Sequence, residues 1–78
     1  MLRGMDQDFS TALQLLGERI REARGRLGIS QEELAFRAEI DRTYVSQIER
    51  GIGNPSLLVM LRLSTVLQAP LSRLLRAL

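Results

Sequence analysis

Between Ser10 and Leu27 the apolar residues Leu13, Leu16, Ile20, Ala23 and Leu27 recur at spacings of three and four. That period is one face of an amphipathic helix, and Gly28 stops it. Residues 1–8 have no such period and read as a flexible leader to a single domain over 9–78. "SQEE" at 30–33 sets Glu three residues after Ser, the spacing of a capping box. It predicts a second helix over 31–38, with Leu34, Ala35 and Ala38 inward. Asp41 suits the cap of a third helix over 42–50, in which Val45 and Ile48 are the core-seeking positions. "GIGN" at 51–54 is a loop, Pro55-Ser56 opens a fourth helix over 56–67, and Pro70 a fifth over 71–77.

The pattern therefore predicts an all-α fold, a compact bundle of five helices. The second and third helices are joined by so few residues that they must cross steeply, as in a helix-turn-helix unit. Their shared apolar seam would be Leu34, Ala35, Ala38, Ile40, Val45 and Ile48. With Val45 and Ile48 inward, helical geometry sends Arg42, Thr43, Ser46, Gln47 and Arg50 outward.

Composition narrows the chemistry. The 78 residues include no Cys and no His, which removes disulfides, thiol catalysis, histidine acid–base chemistry and most zinc sites. With no Lys, no glycine-rich phosphate loop and no evident carboxylate pair, we expect no enzyme, no metal and no cofactor. No apolar run approaches the roughly 20 residues of a membrane span, and the N-terminus lacks a signal-peptide layout. A cytoplasmic protein without a membrane partner is expected.

Charge is small in sum, +2, but uneven along the chain. Residues 1–41 hold six Arg against eight Asp or Glu, a balance of −2, whereas residues 42–78 hold five Arg against Glu49 alone, a balance of +4. The third helix opens the basic part. Its outward residues suit a DNA major groove, where base edges present donors, acceptors and the thymine methyl. Arg42 fits the paired acceptors of guanine, Gln47 an adenine or a phosphate, Thr43 offers a methyl and a hydroxyl, and Tyr44 a ring and a hydroxyl. Gln31 stands at a helix N-terminus, where free N–H groups attract an anion. Arg50, Asn54 and Ser56 surround the next loop; Asn54 and Ser56 equally suit turn and cap roles. Arg62, Arg73 and Arg76 read as surface charges.

The run "GISQEELAFRAEIDRTYVSQIERGIGNPSL" resembles the helix-turn-helix domain of the Cro/phage-repressor-like (XRE) family, whose fold is lambda-repressor-like. Within it, "DRTYVSQIERG" and the short tail are similar to controller proteins of restriction–modification systems. The resemblance covers about residues 15–75. It implies base reading by Arg42, Thr43, Tyr44 and Gln47, and backbone contacts from Gln31, Ser46, Arg50, Asn54 and Ser56. It also implies a structural ion pair between Arg24 and Glu49. Three positions depart from the family pattern. Glu39 and Gln68 stand where Gly often ends a helix, and Gly53 stands where relatives often carry a DNA-contacting side chain.

The fourth and fifth helices carry more leucines than one stripe requires. A symmetric dimer through Leu58, Val66, Leu71, Leu74, Leu75 and Leu78 would cover them and set two reading helices one DNA turn apart. The expected function is a dimeric, autoregulating transcriptional regulator on a double-stranded, pseudo-palindromic operator, with no small-molecule effector. The competing readings are an antitoxin or phage-type repressor, and an interaction adaptor that kept the fold without DNA binding.

Overall fold

The computed structural model describes the backbone of residues 2–78 and the side chains from Asp8 onward. Five helices follow in order: α1 (Leu2–Leu27), α2 (Gln31–Ala38), α3 (Arg42–Glu49), α4 (Leu57–Leu67) and α5 (Leu71–Leu74). No strand occurs among the described residues. α1 begins at Leu2, upstream of the expected start near Ser10. The side chains of residues 1–7, most of the expected leader, lie outside those described.

Three helices start on a side-chain cap. Ser30 Oγ accepts from the Glu33 N–H at 3.0 Å, Asp41 Oδ1 from Thr43 at 3.0 Å, and Ser56 Oγ from Val59 at 3.2 Å. Only the serine half of the predicted capping box forms, because the Glu33 carboxylate instead accepts from Arg37 Nε at 2.6 Å, one turn on.

Four helices end alike, on one left-handed residue with paired backbone hydrogen bonds. The left-handed positions are Gly28, Glu39, Gly51 and Gln68. At Glu39 (φ 59, ψ 45) its own N–H donates to Phe36 O at 3.2 Å, and the Ile40 N–H donates to Ala35 O at 3.0 Å. Gln68 repeats the arrangement at the end of α4, its N–H on Thr65 O and the Ala69 N–H on Ser64 O. The turn of the helix-turn-helix is thus built without the glycine it usually employs.

Each helix gives at least one nearly inaccessible side chain to a common core: Ile20, Leu34, Val45 with Ile48, Leu63 and Leu74, each 1% exposed or less. The expected α2–α3 seam is buried, with Ile40 packed on its edge. Gly17 of α1 faces α3 so closely that an added Cβ would lie 2.4 Å from the Ile48 carbonyl oxygen. Backbone packs on backbone there, and α1 thereby fixes the depth at which α3 sits.

The C-terminal segment corrects two expectations. α5 stops at Leu74, and residues 75–77 continue as turns, with Ala77 at φ 60. Leu74, assigned above to a dimer surface, is a core residue, because α5 folds back against α1 and α4 and drives that side chain inward. Val66 and Leu71 also pack partly against this core. The apolar surface left open on these elements is Leu57, Leu58 and Leu61 on α4 with Leu75 and Leu78 beyond α5. Among the described residues no helix is long and apolar enough to cross a membrane.

Candidate nucleic-acid interface

α3 has a buried flank and an open one. Val45 and Ile48 are each 1% exposed, whereas Arg42, Thr43, Gln47 and Arg50 are exposed and Ser46 is half-buried. At 100° per residue the outward five fill a single arc of the helix surface. Asp41 holds the first turn, so the Arg42 guanidinium starts from a fixed backbone. Among the described residues Arg42 and Arg50 have no ion-pair partner, which leaves both charges for an incoming anion or base.

Tyr44 sits apart from that arc. Its ring is half-buried against the core, and its hydroxyl donates to the Asn54 carbonyl at 3.4 Å. The residue therefore connects α3 with the α3–α4 loop as well as edging the outward arc. The loop is fastened again at the Gln47 carbonyl, which accepts from the Ile52 N–H at 3.0 Å and the Gly53 N–H at 3.1 Å. Gly53 is buried, and a Cβ there would lie 3.2 Å from the Ile48 backbone nitrogen. A side chain at that position would press on α3 first. Asn54 and Ser56 are exposed on the same loop, with the Ser56 oxygen already capping α4.

The depth and tilt of α3 rest on one carboxylate. Glu49 is 3% exposed and is gripped by Arg24, Nε to Oε2 at 2.7 Å and Nη2 to Oε1 at 3.0 Å. This is the ion pair expected from the resemblance, in its bidentate form. Arg24 also donates from Nη1 to Ile29 O at 3.0 Å, tying α1 to the segment before α2. Its hydrogen bonds to Glu49 raise the guanidinium above its ordinary pKa, against the lowering effect of burial.

Gln31 has a role its position alone did not reveal. Its Nε2 donates to Glu49 Oε1 at 3.0 Å. A carboxylate only accepts, so the amide must turn its NH₂ toward Glu49, and one of the two N–H groups is thereby used. The other remains for an outside acceptor at the N-terminus of α2. Gly17, Gln31 and Glu49 thus form one support beneath the candidate reading surface. The sequence marked Gly17 only weakly: a glycine inside a helical pattern can signal close packing, but Gly25 of the same helix has the same pattern and packs against nothing. The Tyr44 to Asn54 and Gln31 to Glu49 bonds had no sequence signal, since both join separate elements.

The "Helix-turn-helix" family model matches residues 20–74. Among curated proteins, the control protein C.BamHI of Bacillus amyloliquefaciens is 48% identical over 44 residues, 55% of this chain and 54% of that protein. The HTH-type transcriptional regulator SinR of Bacillus subtilis is 37% identical over 62 residues, 78% of this chain and 56% of its own length. The chain spans about half the length of these curated relatives. Among solved structures, the restriction-modification controller protein C.AhdI from Aeromonas hydrophila superposes with a TM-score of 0.77 at 45% identity, over 80% of this chain and 94% of that one. The N-terminal DNA binding domain of SinR superposes with a TM-score of 0.76 at 36% identity, over 80% and 91%. Matched from Ile20 in α1 to Leu74 at the end of α5, well over half of its length, this chain belongs to the helix-turn-helix family.

Proposed function

We propose that this protein is a sequence-specific DNA-binding transcriptional regulator of the controller type, without enzymatic activity. The observation that carries the reading is the division of α3: Val45 and Ile48 are sealed in the core while Arg42, Thr43 and Gln47 stand free on the opposite side. A protruding polar helix fits the major groove, and a good bidentate base contact is worth about 1–3 kcal/mol of discrimination. Arg42, Thr43 and Gln47 are the base readers, with Tyr44 contacting at the edge. Arg50, Ser46, Asn54, Ser56 and the spare N–H of Gln31 hold phosphates.

The likeness to a restriction-modification controller protein at 45% identity supports that class over an antitoxin or phage-type repressor. The operator is a pseudo-palindrome bound by a homodimer in the cytoplasm, and the regulator acts on its own transcription. Leu58, Leu61, Leu75 and Leu78 form the subunit contact, since they are exposed apolar side chains shared between α4 and the C-terminal segment.

Selection of bound duplexes from a random pool, followed by gel-shift titration of the recovered sequence, tests this reading. A two-fold related sequence bound far more tightly than random DNA is expected. Recovery of no preferred sequence at low salt would refute it.

A further inference from the structure

Four arginines that the sequence scatters over nearly sixty positions meet at one place. Arg19 and Arg26 from α1, with Arg73 and Arg76 from the α5 segment, line an open cavity of about 290 Å³ together with Glu22 and Leu74. Four arginines against one glutamate leave a local balance of +3. Among the described residues none of the four has a carboxylate within ion-pair distance, although Arg24 and Arg37 elsewhere do. Arg19 is held in place, since its Nη1 donates to the Leu74 carbonyl at 3.2 Å and to the Arg76 carbonyl as well. Those bonds orient the charge without neutralising it. Arg26, Arg73 and Arg76 are exposed and keep their donors for a ligand.

The lining decides the ligand class. A cavity walled by planar forks with five N–H donors each matches the oxygen array of phosphates. Its net charge calls for more than one negative charge, and a volume near the lower end of the range for ligand pockets suits a small anionic group. The position decides the source. Arg26 lies nine residues beyond Gly17, two and a half helical turns, so it projects from the side of α1 opposite the one that touches α3. A duplex held on α3 does not present its backbone there.

We propose that this cavity is a binding site for a small oligophosphate, such as pyrophosphate or the polyphosphate tail of a nucleotide, separate from the α3 surface. Leu74 and Arg76 of its lining flank Leu75 in the chain, so an occupant would brace the segment that carries part of the proposed subunit contact. Binding itself does not depend on that contact.

The test is a titration of the ¹⁵N-labelled full chain with pyrophosphate, with orthophosphate as the weaker comparator. Saturable shifts are expected in the amides of residues 19–26 and 71–78, and not in those of α3. Replacing both Arg73 and Arg76 by Ala, side chains that hold nothing else, should weaken binding by about tenfold or more, as the loss of charge-assisted contacts implies. Glu22→Gln should tighten it. The proposal is overturned by shifts that never saturate, by shifts centred on α3, by unchanged affinity in the double variant, or by engagement of these residues only when a DNA duplex is added.

Discussion

Arg24 of α1 holds Glu49 of α3 through two parallel hydrogen bonds, at 2.7 and 3.0 Å, around a carboxylate that is almost wholly withdrawn from water. The pair acts as a strut. Removing the cation alone strands a buried negative charge, and breaking such a pair costs about 3–5 kcal/mol. Gln31 and the distant Arg21, 3.9 Å away, still face the carboxylate, which moves the expected loss for Arg24→Ala to about 3 kcal/mol. Urea unfolding monitored by circular dichroism measures it. The double replacement Arg24→Met with Glu49→Leu should be less harmful than Arg24→Ala, because no charge is left buried. An additive or greater loss in the double variant would show that the strut is not electrostatic.

The two left-handed caps without glycine are a second lever. Glu39 and Gln68 hold positive φ with their side chains exposed, so neither side chain compensates the conformation by burial. A left-handed L-residue costs roughly 1–2 kcal/mol, part of which glycine returns through its freer unfolded chain. Glu39→Gly and Gln68→Gly should therefore each stabilise by up to about 1 kcal/mol. The two turns are distant in sequence and share no hydrogen bond, so the gains should add. Thermal melts of the singles and the double check both statements.

Gly17 predicts the opposite outcome. Because an added Cβ would meet the Ile48 and Glu49 carbonyl oxygens at 2.4 and 2.6 Å, Gly17→Ala must push α1 away from α3. Overpacking of this sort costs about 1–3 kcal/mol, here outweighing the better helix propensity of Ala. Gly25→Ala is the control, since a Cβ there meets nothing within 4 Å, and it should be neutral or stabilising.

Most of the fold was legible because it rests on local signals. The periods in α1 and α2, the caps Ser30, Asp41 and Ser56, and the breaks at Gly28 and Gly51 all operate within one or two turns of helix. The division of α3 into buried and open flanks follows from Val45 and Ile48 alone. What escaped was set by partners distant in sequence. Leu74 follows the same spacing as Leu71, Leu75 and Leu78, and no periodicity separates a residue turned to its own core from one turned to a second copy. Ser30 and Glu33 had capping-box spacing, but Arg37 one turn on competes for the same carboxylate. The arginine cavity was invisible for the same reason, since α1 and the α5 segment are brought together only by folding.

The leucines near the C-terminus separate stability from assembly. Leu74→Ala empties a fully packed site and should cost about 2–5 kcal/mol. Leu58→Glu with Leu75→Glu alters side chains that are 58% and 40% exposed, so the monomer should keep its helical content and nearly its full stability. Sedimentation should then give a monomer where the parent chain gives a dimer. A double variant that still sediments as a dimer would move the subunit contact elsewhere on the surface.

Arg42 and Arg50 share the open arc of α3 but should fail in different ways. Arg42 opens the helix, beside the Asp41 cap, where an α-helix entering the major groove brings side chains to base edges. Arg50 closes it, next to the loop fastened at the Gln47 carbonyl; in the proposed complex the helix leaves the groove there and nears the backbone. Arg42→Ala should thus lose about 1–3 kcal/mol of preference for the selected operator while binding to random duplex hardly changes. Arg50→Ala should weaken both nearly equally, because a phosphate contact carries no sequence information. It should also reduce the slope of log affinity against log salt by about one for each protomer. Among the described residues neither guanidinium has a hydrogen-bond or ion-pair partner, so both variants should melt like the parent. Gel shifts over a salt series distinguish the two patterns. If Arg42→Ala lowered specific and random binding by the same factor, the arc would be a phosphate-binding surface and not a reader of bases.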